Sequence, residues 1–168
     1  LRLRRCSQDS GTEPMVFYLQ EEIFSFDHFD IWDEQDHVCF QVDREFLTWG
    51  KTLHVRDAQG RLCATVHHVP FSIPCCFELE LAERTLELQR NCAFFSRSYS
   101  IESLGWEVEG DFFGTDYAIR NNGRTVARIE KAWPAFHDRY RLEIAEPSDA
   151  MAALGTVLAI DCCDEHQH

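Results

Sequence analysis

Apolar and polar residues alternate along most of this chain, and short runs rich in Asp, Asn and Gly interrupt the alternation. Phe29-Asp30-Ile31-Trp32-Asp33 leads into Glu34-Gln35-Asp36 and then His37-Val38-Cys39-Phe40-Gln41-Val42. The pattern returns 24 residues later as Leu53-His54-Val55-Arg56-Asp57, Ala58-Gln59-Gly60 and Arg61-Leu62-Cys63-Ala64-Thr65-Val66. Ile31 thus maps to Val55, Asp33 to Asp57, Cys39 to Cys63 and Val42 to Val66. A weaker copy runs through Phe77, Leu79 and Leu81, turns at Glu83-Arg84 and continues with Leu86 and Leu88. A further copy joins Tyr117-Ala118-Ile119 to Val126-Ala127-Arg128-Ile129 through Asn121-Asn122-Gly123. A period of two residues around a short Asp/Asn/Gly turn predicts a β-hairpin with one buried and one wetter face. Asn122-Gly123 supplies the positive φ angles of a tight turn, and Gly60 serves the second unit in the same way. Each copy trails into an apolar corner: Phe46-Leu47, Val69-Phe71, Phe94-Phe95 and Trp133-Pro134.

Consecutive antiparallel hairpins close into a barrel or stack into a sandwich, because an open sheet leaves unpaired edges. The end of the chain favours the barrel. Pro147-Ser148-Asp149 reads as a helix start with Ser148 as the N-cap. The run Ala150 to Ile160 is apolar on nearly every side. Eleven helical residues span about 16 Å, too short for a bilayer. A helix that is apolar all round must be buried all round, and the place that surrounds a helix in a β protein is the inside of a closed barrel. Four Ala and Gly155 let the wall come close.

Length and charge narrow the function classes. The chain has 168 residues, with 16 Lys+Arg against 29 Asp+Glu, a net charge of −13. One domain is expected, and no apolar run reaches the roughly 18 residues of a spanning helix. The acidic excess argues against nucleic-acid binding, which draws on Lys and Arg at phosphates. Residues 1–14 differ from the rest: Leu1-Arg2-Leu3-Arg4-Arg5 is basic and Ser7 to Pro14 is polar. They read as a disordered lead-in, an expression remnant or an upstream extension, with the domain spanning 15–168. Eight cysteines (6, 39, 63, 75, 76, 92, 162 and 163) include no CxxC pair, which removes the zinc-ribbon and thioredoxin-type motifs. No apolar signal core precedes a cleavage site. Reduced thiols in a cytoplasmic protein are therefore expected.

The search for chemistry finds no G-x-S-x-G elbow, P-loop or G-x-G-x-x-G. Cys39 with His37, or Cys63 with His67, is a formal nucleophile–base pair. Their shared slot in the repeat gives the two cysteines a packing role instead. Asp30, Asp33, Glu34 and Asp36 lack calcium-loop spacing and read as a solvated hairpin turn. His67 and His68 point to opposite faces of a strand. Trp32, Trp49, Trp106 and Trp133 are expected in core or rim packing. In the tail, Cys162, Cys163, His166 and His168 form a candidate zinc or copper set beyond the helix. No catalytic residue and no cofactor site is assigned, and the metal set stays open.

Several segments together resemble the LURP-one-related family, a branch of the tubby C-terminal-like superfamily that includes the phospholipid scramblases. They are Tyr18-Leu19-Gln20-Glu21-Glu22-Ile23-Phe24-Ser25-Phe26, Trp106-Glu107-Val108-Glu109-Gly110-Asp111-Phe112, Asp116-Tyr117-Ala118-Ile119, Val126-Ala127-Arg128-Ile129-Glu130-Lys131 and Asp138-Arg139-Tyr140-Arg141-Leu142-Glu143-Ile144, with the apolar helix that ends at Ile160-Asp161. The resemblance spans about 15–162 and is weakest over 67–100. It implies an antiparallel barrel of about twelve strands around a hydrophobic C-terminal helix. It also implies a non-enzymatic binding or scaffold module that associates with lipid, a membrane surface or a protein partner. No basic lipid-binding motif of the tubby kind is matched here, and the acidic charge opposes anionic lipid. A metal-binding protein or enzyme using Cys and His residues at the barrel rim or tail is the alternative.

Overall fold

Asp33 and Asp57 start the fold at the level of the turn. Asp33 Oδ1 accepts the backbone N–H groups of Gln35 and His37 at 2.8 and 2.9 Å. Asp57 Oδ1 accepts those of Gln59 and Arg61 at 2.9 and 3.0 Å. A side chain that bonds the backbone two residues on reverses the chain without help from the rest of the sheet. Both turns then close alike, with Asp33 N–H donating to His37 O and Asp57 N–H to Arg61 O, each at 2.9 Å. Asp36 (φ 64°) occupies the left-handed position that Gly60 (φ 80°) fills one repeat later.

The structure, a computed structural model, describes residues 12–20, 27–47, 50–93, 96–111, 116–131 and 139–164. They form twelve strands: β1 (Met15–Gln20), β2 (His28–Trp32), β3 (Val38–Leu47), β4 (Gly50–Asp57), β5 (Leu62–His68), β6 (Cys76–Leu81), β7 (Thr85–Ala93), β8 (Ser96–Ile101), β9 (Trp106–Asp111), β10 (Asp116–Asn121), β11 (Arg124–Lys131) and β12 (Arg139–Ile144). One helix, α1 (Ala150–Asp164), follows. Each strand pairs antiparallel with its neighbours in sequence, and β1 pairs with β12 to close the barrel. Closure removes every sheet edge.

The period of two sends alternate residues inward. Phe17 and Leu19 of β1, Leu53 and Val55 of β4, Phe77 and Leu79 of β6, and Leu142 and Ile144 of β12 are all buried in one core. Paired strands put these residues opposite one another, as in Leu53↔Val66 and Val55↔Ala64. The same core takes in Ala152, Ala153, Leu154, Val157, Leu158, Ala159 and Ile160, so α1 fills the lumen. It lies closest to β5 and β6. A Cβ built on Gly155 would stand 2.9 Å from Leu79 Cδ2, so this glycine allows the close approach. The one buried hydroxyl on α1, Thr156, donates to Ala152 O at 2.7 Å, which satisfies it within the helix.

Two expectations change at the level of elements, and one hairpin is added. The helix start is not a Ser148 cap. Pro147–Asp149 forms a 3-10 turn whose N-cap is Glu146, without a side-chain hydrogen bond, because Pro147 is already set for the first helical position. The helix also runs past Ile160 to Asp164, so Cys162 and Cys163 are buried on α1 and do not belong to a tail beyond it. The β8–β9 hairpin has no counterpart in the repeat. It turns through the 3-10 segment Glu102–Leu104 and a left-handed Gly105 (φ 65°).

The antiparallel order sorts the connections between two rims. The tight turns after β2, β4, β6, β8 and β10, and the lead into α1, lie at one end. The segment Val69–Cys75 lies at the other, where α1 ends. Among the described residues, β1 and β2 pair only through Tyr18↔Trp32 and Leu19↔Ile31. This short seam is bridged from β12: the Arg139 guanidinium lies 4.1 Å over the Trp32 ring and 2.7 Å from Asp36 Oδ1.

Candidate functional site

The residues proposed for chemistry from the sequence are taken up structurally. Cys39 Sγ donates to His37 O at 3.7 Å, and Cys63 Sγ donates to Arg61 O at 3.4 Å. The two thiols therefore repeat the same turn contact, as their shared slot suggested. Burial, and then the nearby Asp33 carboxylate, push the Cys39 thiol upward, away from a nucleophilic thiolate. His67 binds Thr52 Oγ1 at 2.8 Å through Nδ1. Four residues along a strand place it about 13 Å from Cys63. The His68 ring meets that of Phe77 at a tilt, with centroids 5.1 Å apart, so the two adjacent histidines serve different contacts.

The acidic run is a structured turn. Asp33 holds the backbone, Asp36 pairs with Arg139, and Asp30 accepts from Gln41 Nε2 at 3.3 Å. The backbone N–H of His37 holds the Asp33 carboxyl below the usual range, and that of Arg61 does the same for Asp57. Trp106 is buried in the core and Trp32 carries Arg139. Trp49, Trp133, Phe94, Phe95, His166, His168 and residues 1–11 lie outside the described residues. Among the described residues no group of three His, Cys, Asp or Glu side chains converges as metal ligands.

One segment combines exposure, rigidity and unusual chemistry: the connection from β5 to β6. Ser72 Oγ donates to Val69 O at 2.8 Å and accepts from Cys76 N–H at 2.9 Å. Val69 N–H donates to Cys76 O at 3.0 Å, closing the loop at its base. So anchored, the loop holds Phe71 at φ 61°, a region that bulky residues avoid. Phe71 is 82 % exposed and Ile73 96 % exposed. Two large apolar side chains exposed two residues apart on a braced rim loop make it the candidate contact surface.

Beneath them lies a thiol pair. Cys75 Sγ is 3.3 Å from Cys163 Sγ in the last turn of α1. Arg90 N–H donates to Cys75 O at 3.0 Å. Cys75 is partly exposed, whereas Cys163 is buried. The hydrogen bond from Cys163, supported by the Arg90 charge and opposed by partial burial, lowers the Cys75 thiol to about 7. That same partnership and burial push Cys163 upward, so the first proton leaves Cys75. The neighbouring Cys76 is raised to about 11, chiefly by burial. Sequence reading missed this pair because 88 residues separate its members. The only local signal was two Cys-Cys doublets, 75-76 and 162-163.

The comparisons with known proteins agree with this architecture. The chain is 23 % identical over 146 residues to an uncharacterised protein of Bacillus subtilis, YxjI, covering 86 % of this chain and 90 % of that one. Its fold is similar to that in an X-ray structure of an Arabidopsis thaliana protein, with a TM-score of 0.62 at 12 % identity, covering 89 % of this chain and 91 % of that one. Residues 15–161 match the LURP-one-related family, and the chain belongs to that family.

Proposed function

We propose that this domain is a non-enzymatic binding module that meets its partner with its outer surface, through the Val69–Cys75 loop. The observation that carries the reading is the filled lumen: α1 occupies the space where a β-barrel would otherwise hold a small ligand. Recognition is left to the exterior, and the braced loop offers Phe71 and Ile73 there. The net charge of −13 opposes an anionic membrane and favours a weakly charged partner, either an uncharged lipid surface or a protein.

Sedimentation with vesicles at moderate salt tests it. The wild type and Phe71→Ser/Ile73→Ser are compared on phosphatidylcholine vesicles, with and without added phosphoinositide. Binding that is indifferent to phosphoinositide and lost in the variant supports a lipid surface. No sedimentation on either vesicle leaves the protein partner, with crosslinking from residue 71 as the next measurement. Binding that needs phosphoinositide and survives the double substitution defeats the proposed surface. The metal or enzyme alternative draws no support from Cys162 and Cys163, which α1 buries. Stoichiometric zinc lost in His166→Ala/His168→Ala would restore it.

A further inference from the structure

We infer that Cys75 and Cys163 are a two-electron thiol–disulfide switch that staples the end of the buried helix to the rim loop when a hydroperoxide oxidises it. The sulfurs stand 3.3 Å apart, so a bond of about 2.05 Å requires just over 1 Å of closure. The two thiols also divide the roles such chemistry needs. Cys75 is reachable from solvent and Cys163 is shielded beneath it. Its proton leaves readily because the Cys163 S–H bond and the Arg90 guanidinium both stabilise the thiolate. The flanking thiols do not compete for this role. Cys76, the first residue of β6, is held protonated by burial. Cys162 is buried one residue earlier on α1, about 100° around the helix axis.

The step balances with hydrogen peroxide as oxidant. The Cys75 thiolate attacks one peroxide oxygen, the O–O bond breaks, and hydroxide leaves with Cys75 as a sulfenic acid. The Cys163 sulfur then attacks the Cys75 sulfur, the S–O bond breaks, and the departing hydroxide takes the Cys163 proton as water. Two thiols lose two electrons in total, and one peroxide becomes two waters. A low-molecular-weight thiol returns the pair by exchange. The disulfide joins two points 88 residues apart in sequence and ties together the loop that carries Phe71 and the helix that fills the barrel. The switch rests on this geometry alone, whatever surface the loop meets.

The test treats the reduced full chain with a small excess of hydrogen peroxide and reads intact mass, then maps the product by peptide mass spectrometry. The expected product has lost two hydrogen atoms and links Cys75 to Cys163. Cys76→Ser/Cys162→Ser should form it as readily as the wild type and should melt several degrees higher once oxidised. Cys75→Ser should abolish it. Cys163→Ala, chosen to keep the buried site apolar, should instead leave Cys75 as a sulfenic acid that a dimedone probe captures. The proposal is overturned if the wild type forms no intramolecular disulfide, if the link survives Cys75→Ser, or if it maps to another pair.

Discussion

Asp33 and Asp57 hold equivalent turns 24 residues apart, each by taking two backbone N–H groups on one carboxylate oxygen. A carboxylate bonded in this way ionises more readily in the folded chain than in the unfolded one, and both are lowered. Their stabilisation is therefore present above the ordinary carboxylate pKa, about 4, and is lost as the pH falls through the depressed folded value. Asp57→Ala should lower the melting temperature at pH 7, and the gap to the wild type should narrow in scans taken toward pH 3. Gly110 answers a different need. Its φ is 140°, and a Cβ there would lie 2.6 Å from both Asp116 O and Tyr117 Cα, across the β9–β10 ladder. Backbone cannot yield as a side-chain tip can, so Gly110→Ala should cost at least about 2 kcal/mol in urea unfolding. The Asp turns were legible in the sequence because the bonded groups lie within four residues. The demand on Gly110 was not, since the atoms it must avoid belong to another strand.

Among the elements, α1 was the most legible. A helix with no polar face has few places to go, and Leu154 and Val157 lie in the lumen as that reasoning required. An aspartate there would be an unpaired charge among apolar side chains, costing several kcal/mol, comparable to the whole stability of a domain. Leu154→Asp or Val157→Asp should therefore prevent folding. A soluble variant with an unchanged melting curve would contradict the buried helix. The helix ends were harder to read. Pro147 sets a 3-10 turn where Ser148 was expected to cap, and Asp161 suggested an end where the buried face continues through Cys162 and Cys163. The β8–β9 hairpin escaped because a 3-10 turn before Gly105 has none of the Asn-Gly or Asp signature that marked the β2–β3, β4–β5 and β10–β11 hairpins.

At the scale of the whole molecule, the decisive contact is the least local one. β1 pairs with β12 from Met15↔Ile144 to Gln20↔Arg139, joining residues more than 100 positions apart. Periodicity predicts strands but carries no sign of such a pairing. The barrel rather than a sandwich was inferred from the helix that needed enclosing. Deleting Met15–Gln20 would expose two sheet edges at once and open the lumen over α1. The shortened chain should show no cooperative thermal transition by circular dichroism. The candidate site was the least legible part, because the Val69–Cys75 loop meets Cys163 only when the last turn of α1 reaches the far rim.

The route of the chain also sets how the domain would bear a pull. Met15 begins β1 at the rim where α1 enters, and α1 ends at the opposite rim. Tension between residues 15 and 164 runs from one rim of the barrel to the other. It drags β1 lengthwise against β12, where the hydrogen bonds lie across the strands. Those bonds share the load and yield together, whereas a ladder peeled from one end yields one bond at a time. The same fold that encloses the helix therefore resists stretching as a unit.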